Sequence, residues 1–243
     1  MTPAGLIEDY HRDGVVVIRG LLSDDEQRSI RDRLNRYQAE RLAGLPTGDY
    51  TLEPDGRTVR NLWRLEQHDP FFLEMAAERR MVDLVRPLVG SDPVLIGVET
   101  FNKPAKVGSA VPPHQDNAYF CQTPADVLTV WIALDPATKE NGAVEYLLGT
   151  HHELRPHRPS GVKGNSFGLA ETPRPGEFPH FLGEIAPGDA LIHHSQAIHF
   201  SAPNRSDHSR LSLIFVYRGE HTRTDAGLKE AYTRAASMTP QNA

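Results

Sequence analysis

The spacing of hydrophobic and polar positions changes near residue 92, and that change organises the chain. Before it the strongest signal is helical. SDDEQRSIRDRLNRYQAERL puts Ser23 at an N-cap, crowds Asp24, Asp25 and Glu26 into the first turn, and with Leu22, Ile30 and Leu34 marks an apolar stripe. This predicts a scaffold helix with one face on a sheet. Ahead of it, Asp13-Gly14 signals a turn and VVVIRG a short β-branched strand. Residues 44–66 are rich in Gly, Pro and charge, which predicts irregular backbone with a hairpin at Asp55-Gly56. Arg60, Asn61, Trp63 and Arg64 cluster there, either as a pocket wall or as solvated loop residues. HDPFFLEMAAERRMVDLVRPLVG predicts two short helices, the second stopped by Gly90.

Beyond residue 92 the period becomes that of strands. PVLIGVETFNKPA, VGSAVPPHQD, DVLTVWIALD, GAVEYLLGT, DALIHHSQAIHF and RLSLIFVYRG are short apolar runs broken by Gly, Pro, Asn and Asp. Such spacing predicts a β-sandwich or jelly roll over about residues 92–220, with the helical part, about residues 1–91, packed outside. Residues 149–184 form a long Pro- and Gly-rich insertion of little periodicity, the pattern of a lid or binding loop. No repeat or linker divides the chain, so residues 1–243 read as one domain.

Composition narrows the function classes. The chain has 243 residues, 39% hydrophobic and 24% charged, with a net charge of -6. That charge argues against wholesale binding to nucleic acid or anionic membranes. Mean hydropathy is -0.46, and no apolar run approaches a membrane span. Cys121 is the single cysteine, so no intrachain disulfide can form. With no secretory signal at the N-terminus, the expected location is the cytoplasm. There are 12 histidines, so position must select any that bind metal.

The selected set centres on His114-Gln115-Asp116. On an extended segment, H-x-D sets an imidazole and a carboxylate on one face. One distant histidine completes a 2-His-1-carboxylate triad, which holds non-haem Fe(II) and leaves positions open for cosubstrate and O2. His199, at the end of a strand beginning at Asp189, is the chosen third ligand. His193 and His194 compete for that role and are assigned to the wall instead. His194 has Arg205 at the spacing that His199 has to Arg210, but Asn204-Arg205-Ser206-Asp207 is a turn, which points Arg205 to solvent. Arg210 opens a strand and faces inward, where a guanidinium can hold the far carboxylate of a 2-oxo diacid, with Ser201 adding a hydroxyl.

HQDNAYF, TVWIALDPATKENGAVEYLLGTHH, PGDALIHHSQAIHFSAPNRSDHSR and LIFVYRGE together resemble the phytanoyl-CoA dioxygenase family of Fe(II)/2-oxoglutarate oxygenases. The resemblance spans about residues 93–219 and extends to DGVVVIRGLLSDDE near the N-terminus. It implies a double-stranded β-helix, the cupin-like jelly roll. It implies His114, Asp116 and His199 as iron ligands, and Arg210 and Ser201 as holders of 2-oxoglutarate. It further implies Trp131 in the cosubstrate pocket and Asn102 as a cosubstrate contact. Thr129 shares a strand face with Trp131 and is expected to add a hydroxyl to that pocket, though both residues are equally suited to the core. Halogenating relatives lack the carboxylate ligand, so Asp116 favours hydroxylation or another oxidation begun by hydrogen abstraction.

Fold and triad do not set the substrate, which is expected to be a small molecule. Arg155, Arg158 and Lys163 make the insertion basic, and with Arg64 they suggest an acidic metabolite; a solvated charged loop reads the same residues differently. Three alternatives stand beside the oxygenase: a cupin-like metalloenzyme that does not use 2-oxoglutarate, a non-catalytic binding module, and a hydrolytic zinc site.

Overall fold

The computed structural model describes residues 3–162 and 165–238. In chain order its elements are α1 (Pro3–Asp13), β1 (Val15–Ile18), α2 (Asp24–Arg41), β2 (Tyr50–Leu52), β3 (Val59–Leu62), α3 (Leu65–His68), α4 (Pro70–Ala76), α5 (Arg79–Val89) and β4 (Pro93–Lys103). Then come β5 (Val111–His114), α6 (Asn117–Phe120), β6 (Gln122–Thr123), β7 (Val127–Ala133), β8 (Val144–Leu147), β9 (His157–Val162) and β10 (Asn165–Leu169). The chain continues through β11 (His180–Gly183), β12 (Ala190–His194), β13 (Ile198–Ser201), β14 (Arg210–Gly219), β15 (Arg223–Thr224) and α7 (Ala226–Met238).

Two antiparallel sheets face each other. The larger has seven strands in the order β1-β12-β7-β14-β4-β3-β2, and the smaller has four, β11-β8-β13-β5. This is the jelly roll expected from the strand spacing. The larger sheet is covered on both faces, which is why β7 is buried along its whole length. Leu128, Val130 and Ile132 face outward and join Ile30 and Leu34 of α2, Phe72 of α4, and Met81 and Val85 of α5 in one core. Val127, Trp131 and Ala133 face inward and pack with Tyr146 of β8, Leu191 of β12 and Ile214 of β14. Thr129 shares that inward parity. The N-terminal helices therefore lie outside the barrel, and α2 opens with the full capping box of Ser23 and Glu26.

Two expectations need correction, and two features add to the picture. The segment from Asp189 to Phe200 is not one strand: β12 ends at His194 and β13 starts at Ile198, so the chain crosses from the larger sheet to the smaller. The insertion is not structureless, because it carries the β9–β10 hairpin and contributes β11 to the edge of the smaller sheet. The hairpin expected at Asp55-Gly56 is present as β2–β3, and it extends the larger sheet beside β4. Its register slips at Arg60, the extra residue opposite Thr51 and Leu52. Such a bulge re-aims side chains, and it leaves Arg60 and Asn61 buried rather than solvated. Finally, α7 follows the strands and sets Tyr232 against Phe167 and Tyr119.

Candidate metal centre

β5 and β13 are neighbours in the smaller sheet, and their register makes His114 and His199 direct partners. Their ring centroids are 4.1 Å apart. Each ring is oriented by its own backbone: Nδ1–H of His114 donates to the Pro112 carbonyl at 2.9 Å, and that of His199 to the Ala197 carbonyl at 3.0 Å. Both Nε2 atoms are thereby left as lone-pair donors. They approach Oδ1 of Asp116 to 3.5 Å and 3.6 Å.

Asp116 does not sit on the strand. β5 ends at His114, and Asp116 has helical backbone angles at the N-cap of α6. The carboxylate reaches the imidazoles because the chain turns there, not because of strand alternation. Its other oxygen is fixed from the larger sheet. Oδ2 accepts from the Thr129 hydroxyl at 3.1 Å and from Nε2–H of His193 at 3.2 Å. His193 Nδ1 accepts in turn from the Tyr146 hydroxyl at 3.1 Å. Thus Asp116 is held by one sheet and offers Oδ1 to the histidines of the other.

The three donor atoms lie within 4.8 Å of one another. Two neutral imidazole nitrogens and one carboxylate oxygen, converging with the remaining lone pairs tied back, fit a divalent first-row metal such as Fe(II). Burial by itself raises the Asp116 carboxyl. The three imidazoles around it, His199 first and then His114 and His193, outweigh that and hold the group well below the usual carboxylate range. Burial, then the His114 charge, pushes His199 well below an ordinary histidine, which keeps its Nε2 unprotonated.

Behind the triad the barrel is cationic. Arg210 is 1% exposed, and its guanidinium packs 5.0 Å from the Trp131 ring and 5.5 Å from the Phe101 ring. Its Nη1 donates to the Gly142 carbonyl at 2.6 Å. Among the described residues its Nε has no hydrogen-bond partner, and no carboxylate lies at ion-pair distance. Burial lowers it to about 9, and the nearby Arg60 adds to that pressure. Arg60 reaches the same place from the bulge of β3, with its guanidinium 5.1 Å from the centroid of the Phe101 ring. Lys103, fully buried on β4, donates to the carbonyls of Ser109 at 2.5 Å and Ala202 at 2.8 Å. Burial and the charges of Arg210 and Arg60 bring it down to about 6. Basic groups crowded this far from water, two of them guanidinium groups, call for an anion.

The structure brings together most of the residues singled out from sequence. His114, Asp116, His199, Thr129, Trp131 and Arg210 converge, and Ser201 lies buried two residues beyond His199 on the same face of β13. His193 serves as a support for Asp116, while His194 packs away from the site against His151 and Tyr10. Arg205 is exposed, as its turn predicted. Asn102 is a correction: it alternates out of phase with Phe101 and Lys103, and its Nδ2 bonds the Val59 carbonyl at 3.2 Å. Arg64 and the described basic residues of the insertion are engaged elsewhere or exposed. Arg64 is exposed and pairs with Asp49, Arg155 pairs with Glu177 at 3.2 Å and packs over Phe178, and Arg158 is exposed. Lys163 lies outside the described residues.

Sequence reasoning missed Tyr146, Lys103 and the inward turn of Arg60, because a bulge and a cross-sheet contact leave no periodic signal. It also missed Gln115, the fully buried residue between the two ligands of H-x-D. Its amide donates to the carbonyls of Glu153 and Gln196 and accepts from Arg155 N, while its own N–H donates to His157 Nε2. The start of the insertion is thereby tied to the centre.

A profile of the family described as Phytanoyl-CoA dioxygenase (PhyH) matches residues 10–212. The phytanoyl-CoA dioxygenase domain-containing protein 1 homolog of Dictyostelium discoideum is 30% identical over 151 residues, 60% of this chain and 54% of that protein. The chain thus spans about half the length of that relative. The homolog of the same name from Caenorhabditis elegans is 30% identical over 252 residues, 84% of this chain and 87% of its own. Among solved structures, the epimerase SnoN in complex with Fe3+, alpha ketoglutarate and nogalamycin RO shares the fold, with a TM-score of 0.75 and 24% identity over 93% of this chain and 88% of that one. Among the described residues no helix is long and apolar enough to cross a membrane.

Proposed function

The chain belongs to the phytanoyl-CoA dioxygenase family, and on that premise we propose that it is an Fe(II)- and 2-oxoglutarate-dependent dioxygenase that hydroxylates a C–H bond of a small molecule. His114, Asp116 and His199 hold the iron through Nε2, Oδ1 and Nε2. Arg210 receives the distal carboxylate of 2-oxoglutarate, with Arg60 adding charge and Ser201 a hydroxyl. Trp131 forms the wall along which the cosubstrate lies. Bound iron supplies the redox chemistry by which O2, 2-oxoglutarate and substrate C–H become succinate, CO2 and the alcohol.

The protein's part is positioning. Thr129 and His193 hold the Asp116 carboxylate, and Phe101 and Trp131 confine the Arg210 guanidinium. The observation that carries this reading is the buried Arg210, with no ion-pair partner among the described residues, on the inner wall of the barrel that also carries the triad. A cupin-like metalloenzyme without a diacid cosubstrate has no use for it. SnoN, on the same fold, is an epimerase, so the outcome of oxidation depends on how substrate is held.

Anaerobic titration of the purified chain with Fe(II) and 2-oxoglutarate tests the reading. A weak visible charge-transfer band is expected, followed on admission of O2 by succinate. Iron that binds without any band on adding 2-oxoglutarate points to another metalloenzyme.

A further inference from the structure

The inward side chains of β4 are Glu99, Phe101 and Lys103. The last two belong to the cationic end, with Arg60 and Arg210. Glu99 stands one row nearer the triad. In the register it pairs with Ile214 of β14, and Ile214 with Trp131 of β7. The next row on the metal side runs through Val216 to Thr129 and His193, the two residues that hold Asp116.

A carboxyl group here has no packing purpose. Glu99 makes no hydrogen bond or ion pair with any described residue, and its side chain is only partly covered. The charged groups that act on it are both negative. They are Asp116, and Glu66 of α3, which is fixed beside β4 by a 2.7 Å bond from Val98 N. Burial, reinforced by these two charges, pushes Glu99 up to about 8. The interior is thus divided, with basic side chains behind Trp131 and carboxyl groups in front of it.

A dianionic cosubstrate answers the cationic end and leaves the acidic end open. A cation there would restore the Glu99 carboxylate, whereas an acidic substrate would disfavour it further and a hydrocarbon would cover it without a partner. The basic residues that suggested an acidic substrate are turned to other partners or to the surface. Resting on the oxygenase reading, we propose that Glu99 is the specificity-determining residue of this site and pairs with a cationic nitrogen on the substrate, an amine or ammonium group.

The test uses the full chain, anaerobic, with Fe(II) and 2-oxoglutarate, and follows the visible band as small probes are added. The probes are cadaverine, tyramine and L-lysine, each beside its N-acetyl form. The expected result is that an amine perturbs the band and binds about tenfold or more tighter than its acetylated partner, the effect of one charge-assisted hydrogen bond. Glu99→Gln is expected to abolish that preference, and Glu99→Asp to keep part of it. A normal band with no preference for any amine, or a preference that survives in Glu99→Gln, overturns the inference and leaves the oxygenase reading intact. No band at all removes the oxygenase reading and this inference with it. The first comparison needs only the wild-type chain, so it decides even if a variant fails to fold.

Discussion

His193 on β12 donates from Nε2 to Oδ2 of Asp116 across 3.2 Å, so one sheet of the barrel fixes the carboxylate that faces the two histidines of the other. Supports of this kind set the orientation of a metal-binding group. His193→Ala is expected to weaken Fe(II) binding by about 10- to 100-fold without removing any donor atom of the triad. Anaerobic iron titration measures it, and unchanged affinity would show the contact to be incidental.

The triad itself makes a stricter demand. His114→Ala and Asp116→Ala are each expected to abolish stoichiometric iron and succinate release, because two donors cannot close the site. Metal analysis after gel filtration, with circular dichroism to establish folding, checks this. Full iron retention in either variant would refute the ligand assignment.

Arg210 is separable from the metal. Arg210→Ala is expected to keep Fe(II) but raise the KM for 2-oxoglutarate by about 100-fold or more, the scale of breaking a buried charge pair. Arg210→Lys should recover only part, since an ammonium cannot reproduce the two-pronged geometry. Steady-state succinate assays with varied 2-oxoglutarate distinguish these outcomes.

Gly142 tests the anchor from behind. Its φ is +79°, and a Cβ there would meet the Ala202 carbonyl oxygen at 2.3 Å. Its own carbonyl accepts from Arg210. Gly142→Ala should therefore lower both thermal stability and 2-oxoglutarate affinity, read by Tm and by the same assay. A normal KM would mean that the Gly142 contact does not position the guanidinium.

Acid should destabilise the fold through histidines outside the site. Burial, aided by the neighbouring His152, lowers His151 to about 4, and burial with the charges of His151 and His193 lowers His194 to about 3. Both stay neutral in the fold at pH values where the unfolded chain binds protons. Their contribution is complete above about pH 6.5 and is lost as the pH falls toward their folded values. Tm is expected to fall between pH 7 and pH 4, less steeply in His194→Gln; an equal slope in that variant would contradict the assignment.

Local chemistry legible in the sequence was enough for the elements and for most of the site. The capping signal at Ser23, the stop at Gly90 and the opening of β14 at Arg210 all depend on neighbours a few residues away. The alternation of β7 announced that Thr129 and Trp131 share a face. The resemblance of the H-x-D and arginine segments to a known family named the three proposed donors and the proposed anchor.

Tertiary structure decided what no local rule encodes. Register across β5 and β13 makes His114 and His199 partners, and a crossing between sheets at residues 195–197 separates His193 from His199 and sets them on opposite walls. A one-residue bulge turns Arg60 inward, ion pairs with Asp49 and Glu177 hold Arg64 and Arg155, and β4 sets Glu99 on its inward face within reach of the Asp116 charge. The reason is physical: periodicity tells which side of its own strand a side chain takes. Which charges it meets there depends on strands far away in the chain, and buried charge is governed by those partners.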